Sequence, residues 1–245
     1  MKVADPCGCF PTGKHYPGIA HLIKVRAVGV ASELDASGGW VDYPIALIDT
    51  ETTGRDPNAD RVIEVGIVVG HAGSFRRMGW LINPGRPIPA ETTAVHGITD
   101  ADVAGKPSFA EVAGEILEFL KGSIPGAYNA TFDRNFIMAE LDRAGIRPES
   151  PPPAMRREVD WIDPLVFARE LYKNEDSRAL GDMATRLGIQ LERAHRATDD
   201  AEAALHILYA FAKDPRVPKA YGGLIQEQRR LHRIQEEARR MWKKN

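Results

Sequence analysis

Cysteine is nearly absent from this chain of 245 residues: Cys7 and Cys9 are the only two, separated by a single glycine. That count excludes a disulfide framework and a closed zinc site, since His15 or His21 would add only an exposed, incomplete ligand set. Two reduced thiols near the terminus are the expectation. No apolar run approaches the roughly 18 residues of a membrane span, and no compact apolar stretch follows the first lysine as in a secretory signal. A cytoplasmic protein without a membrane partner is expected. Internal repeats and low-complexity segments are missing too. At 43% hydrophobic and 27% charged residues, the composition is that of a globular protein with one sizeable domain plus extensions, or two small domains.

Net charge is also scarce, at −2, but it is unevenly spread. Residues 213–245 hold ten Lys/Arg against four Asp/Glu, a net of +6, so residues 1–212 carry −8. An acidic body repels nucleic acid unless cations neutralise part of it, and a basic tail restores attraction to phosphate.

Three stretches follow. Residues 1–43 form an N-terminal extension, punctuated by Gly and Pro at its start and by Ser37-Gly38-Gly39 at its end; within it, 20–33 fits a helix or a strand equally. Residues 44–212 form the core. Ile45-Ala46-Leu47-Ile48 is a buried strand. Arg61–Val69 and Phe75–Ile82 make an antiparallel hairpin about the His71-Ala72-Gly73 turn. Ser108-x-x-Glu111 is a capping box opening a helix with Val112, Ile116, Phe119 and Leu120 on one side. Strands at 124–128 and 159–162 alternate with helices at 132–144, 164–172, 178–187 and 201–212, the first of them stopped by Gly145 and the second with Pro164 in its first turn. Such an order predicts a mixed α/β sheet with helices on its faces, functional groups collecting at strand ends. Residues 213–245 form a basic helical tail.

Three blocks within the core carry the chemistry: Ile48-Asp49-Thr50-Glu51-Thr52-Thr53-Gly54, Asn129-Ala130-Thr131-Phe132-Asp133 and His195-Arg196-Ala197-Thr198-Asp199-Asp200. Asp49 and Glu51 are two apart on a strand and therefore share a face. Two carboxylates beside an apolar strand repel one another, and desolvation adds to the cost, so a divalent cation resolves the conflict. Hard oxygen donors suit Mg2+ or Mn2+ rather than zinc. Asp133 and Asp200 each fall in a first helical turn, where an acid also serves as a simple partner of the helix dipole; Thr198 is the expected N-cap of the last core helix. His195 and Asp200 would point about 140° apart on one helix, so the histidine belongs on the preceding loop, with a pKa near neutrality suited to a general base.

The ordered set resembles the DEDDh branch of the DEDD 3′–5′ exonuclease superfamily, DnaQ-like enzymes that include the proofreading epsilon subunit of bacterial DNA polymerase III. The resemblance rests on IDTETTG, on YNATFDRNF and on the His-x-Ala-x-x-Asp spacing of 195–200, with Val95-His96-Gly97-Ile98-Thr99 as a further shared feature, and it covers about residues 43–212. It departs at Tyr128, where the family often has histidine, and in both extensions. It implies a ribonuclease H-like mixed five-stranded sheet flanked by helices. It also implies two divalent metal ions, Mg2+ or Mn2+, on Asp49, Glu51, Asp133 and Asp200. Asp49 would bridge both metals, Glu51 would bind one and help hold the terminal 3′-hydroxyl, Asp200 would ligate the ion bearing the nucleophile, and Asp133 would hold the other through water. His195 would deprotonate the attacking water, and Thr52, Thr53 and His96 would lie near the terminal nucleotide.

Function is therefore expected to be metal-dependent 3′–5′ hydrolysis of single-stranded DNA ends, releasing nucleoside monophosphates, in the company of a polymerase. The same carboxylates serve an exoribonuclease trimming RNA 3′ ends, and a non-catalytic nucleic-acid-binding scaffold is the reading from a different class; mutually repelling acids argue against the scaffold. The tail, with Leu224, Leu231 and Ala238 among Arg229, Arg230, Arg233, Arg239 and Arg240, fits a helix packed on its own domain, a phosphate-binding arm, or a docking helix for a polymerase or a second copy.

Overall fold

The computed structural model describes residues 28–191 and 195–242. Cys7, Cys9, His15, His21 and the first part of the 20–33 segment lie outside them. Four strands form one sheet in the order β3-β2-β1-β4: β1 (Ile45–Thr52), β2 (Val62–His71), β3 (Ser74–Leu81) and β4 (Ile124–Gly126). The β2–β3 hairpin turns on Ala72 and Gly73, both at positive φ (49° and 77°), which matches the twist of the flanking strands. β1 pairs antiparallel with β2 and parallel with β4.

The fifth strand expected at 159–162 is reduced to single bridges, Gly126 with Ile162 and Gly29 with Val159. β4 is only three residues long and Pro125 has no N–H to give, so pairing stops after Ile162 N donates to Pro125 O (2.8 Å) and Ala127 N to Ile162 O (3.0 Å). Asp163 then turns away to cap a helix. The described sheet thus has four strands, not five.

Eight helices flank it among the described residues: α1 (Ala90–His96), α2 (Asp100–Val103), α3 (Phe109–Phe119), α4 (Ala130–Arg143), α5 (Pro164–Leu171), α6 (Leu180–Arg186), α7 (Ala197–Phe211) and α8 (Tyr221–Trp242). Ser108 and Glu111 make the expected capping box of α3. The short α1 and α2, around the Val95–Thr99 motif, are elements that the sequence pattern leaves unmarked. Alternation along β1 sorts its apolar side chains into two cores. Ile45 and Leu47 join α5, α6, α7 and α8, while Ala46 and Ile48 join α3 and α4. Asp49 and Glu51 continue the parity of Ile45 and Leu47, hence the layer that contains α7.

Residues before β1 are tied to the start of α8. Tyr221 N donates to Gly38 O (2.9 Å), Gly222 N to Ala36 O (2.8 Å) and Trp40 N to Lys219 O (3.0 Å). The apolar stripe of α8 divides: Leu224, Ile225 and Leu231 are buried in the core, whereas Ile234, Met241 and Trp242 are exposed. Among the described residues no helix is long and apolar enough to cross a membrane.

Candidate active site

Four elements converge on one cavity of about 230 Å³ lined by Asp49, Glu51, Asp133, His195 and Asp200 together with Tyr128, Asn129, Phe132 and Leu180. β1 supplies Asp49 and Glu51 from alternate positions. α4 supplies Asp133, one turn inside its N-terminus, where Asn129 enters the helix at φ 75°. Thr50 fixes this aspartate with its backbone N–H (2.9 Å) and its hydroxyl (2.8 Å), both donated to Oδ1. α7 supplies Asp200.

The approach of α7 depends on a glycine. Gly66 sits across the β1–β2 ladder from Asp49, and a Cβ there would lie 2.1 Å from the Ala197 carbonyl carbon and 2.2 Å from Thr198 N. Without a side chain at 66, the first turn of α7 lies directly on the sheet and sets Asp200 beside Asp49. Thr198 is not the N-cap of α7. The cap is Arg196, whose side chain makes no capping hydrogen bond to the helix. A carboxylate of β2 serves the first helical N–H instead: Glu64 Oε2 accepts from Ala197 N (3.2 Å), while Asp200, inside α7, reaches back so that its Oδ2 accepts from His195 N (3.1 Å). Asp199 and Asp200 face different ways, since Asp199 is paired with Arg77 (2.7 Å). His195 precedes the helix on a turn at φ 64° and is exposed at the cavity's rim.

Burial and mutual repulsion set the electrostatics. Burial, then the neighbouring carboxylates of Asp133, Asp200 and Glu51, push Asp49 well above the usual carboxylate range. Glu51 is pushed up to about 8 by burial and by Asp200 and Glu64. Burial raises Asp133 to about 7 against the opposing Thr50 hydrogen bonds, and Asp200 to about 6 against the His195 backbone N–H. Among the described residues, no lysine or arginine lines the cavity. Carboxylates so placed, with no cation among the described lining residues, fit divalent cations. The donors are hard oxygens plus one imidazole, and Glu51, His195 and Asp200 each bring a ligand atom within 4.8 Å of the other two.

Thr52, Thr53 and His96 are not among the side chains lining this cavity. Thr52 donates its hydroxyl to Gly54 O (2.5 Å), and Thr53 Oγ1 accepts from Arg61 N (3.0 Å). His96 closes α1 and is buried; its Nδ1 accepts from Ile98 N (3.0 Å), and Nε2 has no hydrogen-bond partner among the described residues. Burial lowers its pKa and favours the neutral ring. Sequence reasoning missed Glu64 and Gly66. Glu64 stands opposite Glu51, and Arg196 Nη2 donates to it at 2.8 Å, so it anchors the residue next to His195. Each had a signal: a lone acid and a lone glycine inside the β-branched run RVIEVGIVV.

Comparison with known proteins places these features in a family. The RNase_T model, described as an exonuclease, matches residues 46–208. The chain is similar to PolC-type DNA polymerase III of Streptococcus suis (35% identical over 84% of this chain) and of Streptococcus thermophilus (36% over 69%). It spans only 14% and 11% of those relatives' lengths. Among solved structures, E. coli exonuclease I with a dT13 oligonucleotide shares the fold (TM-score 0.61, 18% identity, 70% of this chain, 41% of that one). So does exonuclease X in complex with 5′ overhanging duplex DNA (TM-score 0.51, 26% identity, 73% and 99%). The chain belongs to the RNase_T exonuclease family, with a DnaQ-like, ribonuclease H-like fold.

Proposed function

We propose that the protein removes nucleotides from single-stranded DNA 3′ ends, releasing nucleoside monophosphates, and that Asp49, Glu51, Asp133 and Asp200 do this while holding two divalent cations, Mg2+ or Mn2+. One observation carries the proposal: four carboxylates and an imidazole from three separate sequence blocks share a cavity that no lysine or arginine among the described residues lines. When bound, such cations act as Lewis acids toward water and the phosphoryl oxygens.

The chain's own part is positional and protonic. Thr50 and the His195 backbone each hold one oxygen of Asp133 and Asp200, so these acids are oriented before substrate arrives. His195, exposed on its turn, accepts the proton of the attacking water at a ring nitrogen and can return it to bulk solvent. Glu64, through Arg196 and Ala197 N, keeps that turn in place. Asn129, Phe132 and Tyr128 form the wall available to a terminal base, while Thr52, Thr53 and His96, outside the cavity lining, are assigned to the surroundings of the terminal nucleotide. Because Nδ1 accepts from Ile98 N, the neutral His96 ring carries its proton on Nε2, a donor left to use.

DNA is favoured over RNA because the relatives at 35–36% identity are DNA polymerases. The same relatives support a role beside a replicative polymerase in the cytoplasm. The test is incubation with 3′-labelled single-stranded DNA and RNA of matched sequence, with Mg2+ or with chelator. Mg2+-dependent release of single nucleotides from the DNA is expected. Faster trimming of RNA would transfer the proposal to an exoribonuclease, and no hydrolysis of either would end it.

A further inference from the structure

We infer that a second, basic cleft between α4 and α8 binds the phosphodiester backbone of the nucleic acid whose end enters the acidic cavity; the inference rests on the exonuclease reading above. This cleft, about 460 Å³, lies between the first turn of α4, the 160–163 segment and α8; Arg134, Arg229, Arg233 and Arg240 line it, outnumbering the acids Asp160, Asp163 and Glu236. α8 lies beyond residues 46–208, the region matched by the family model.

The arginines of α8 are of two kinds. Arg230 pairs with Glu227 and Arg239 with Glu236, each three residues along the helix, as solvated surface charges commonly do. Arg233 and Arg240, which face the cleft, form no ion pair with any described residue. Arg229 is held by Asp160. Arg134 gives Nη2 to the carbonyls of Arg156 (3.2 Å) and Arg157 (3.1 Å), and its other nitrogens have no partner among the described residues. Positions 229, 233 and 240 recur at four and seven residues along one stripe of α8. They span about 16 Å of helix, the axial length of four or five nucleotides of one strand. Guanidinium forks match the paired oxygens of a phosphate, and on a polynucleotide the backbone offers one at every step.

Position relative to the acidic cavity supplies the rest. The first turn of α4 is a shared wall, with Asn129, Phe132 and Asp133 on the acidic side and Ala130, Thr131 and Arg134 on the basic side. A strand ending in the first cavity reaches the second by crossing one helix width, about 10 Å. The two are held in register by a buried clamp. Gln228 of α8 accepts from Asp163 N (2.7 Å) and donates to Trp161 O (2.8 Å), while the Asp163 carboxylate accepts from Asn129 N (3.0 Å) and Ala130 N (3.1 Å) at the start of α4. On a body with net negative charge, this cleft restores attraction to phosphate next to the carboxylates that repel it.

The test uses the whole chain carrying Arg233→Glu and Arg240→Glu, beside a control carrying Arg230→Glu and Arg239→Glu. Binding of labelled oligonucleotides is followed by fluorescence anisotropy in chelator, and hydrolysis is followed separately with Mg2+. The cleft variant should lose about ten-fold or more in affinity for ten-nucleotide strands. Its log K against log salt slope should fall by roughly 0.7 per lost phosphate contact on single strands. Hydrolysis of a dinucleotide, too short to reach the cleft, should match wild type. Loss on single strands assigns the cleft to the strand being cut; loss confined to duplexes with a recessed 3′ end assigns it to the complement, and either supports the inference. Unchanged affinity and salt slope would overturn it, as would an equal loss in the control or an equal loss on the dinucleotide. Failure of the wild-type chain to hydrolyse any oligonucleotide would strike the exonuclease reading alone, because anisotropy still reports on the cleft.

Discussion

Asp133 and Glu140 lie two turns apart on α4, and both are buried, at 3% and 1% exposure, yet they live in opposite electrostatic worlds. Glu140 accepts from Arg61 Nε (2.8 Å) and Nη2 (3.0 Å), from Val62 N (3.1 Å) and from Arg143 (3.0 Å). Its charge is matched within the fold, and it ties α4 to β2. Asp133 has Thr50 as a hydrogen-bond donor, but its charged neighbours are other acids, and burial lifts it to about 7. Burial of an acid does not by itself mark function. The lack of a cation among the described residues where several acids meet does, because such a cluster is stable as charged groups only with something positive beside it.

The largest effect should come from emptying the acidic end. Asp49→Ala should cut nucleotide release from a 3′-labelled strand by about a thousand-fold or more, since the cations' stabilisation of transition-state charge is worth several kcal/mol. Circular dichroism should show the fold retained, and undiminished release would break the comparison at once. His195→Ala should lower kcat by about 10²–10⁴, leaving affinity in chelator near wild type; a loss confined to affinity would make the histidine a substrate contact. At the structural end of α4, Glu140→Ala should cost about 3 kcal/mol in urea unfolding, because it strands Arg61 beside a buried gap. Asp133→Asn should cost nothing in chelator and gain stability if the contrast holds. Equal destabilisation by both would erase the distinction.

A smaller effect concerns pH. Glu51 at about 8, Asp133 at about 7 and Asp200 at about 6 all bind protons more tightly folded than unfolded. Their contribution to stability is fully present only below the unfolded values near 4, and it diminishes as pH rises through the folded ones. In chelator, thermal stability should therefore decline between pH 5 and pH 8.5, and Mg2+ should flatten the decline. Stability rising over that interval would show that these acids are not held protonated by the fold.

Much of this was legible in the sequence because it depends on local rules. Period-two spacing put Asp49 and Glu51 on one face, the Ser108–Glu111 box opened α3, and the loop position of His195 followed from helical geometry. What escaped depends on contacts between distant segments. Thr198 looked like a cap, but Glu64, 133 residues before Ala197, takes that role through space. The fifth strand looked apolar enough, yet a three-residue neighbour containing Pro125 limits it to a bridge. The basic tail could not be divided into paired and unpaired arginines until α8 was seen against Asp160, Asp163 and α4. Its apolar stripe likewise gave no sign that it would be buried only as far as Leu231.

The most direct measurement is the melting temperature of wild type and Asp49→Asn, each in chelator and with saturating Mg2+ or Mn2+. Removing one repelling charge should raise the midpoint in chelator by roughly 2–4 °C per kcal/mol relieved, while the rise that the cations give wild type should largely vanish in the variant. A variant that melts below wild type in chelator and gains as much from the cations would show that Asp49 belongs to no cation-holding cluster.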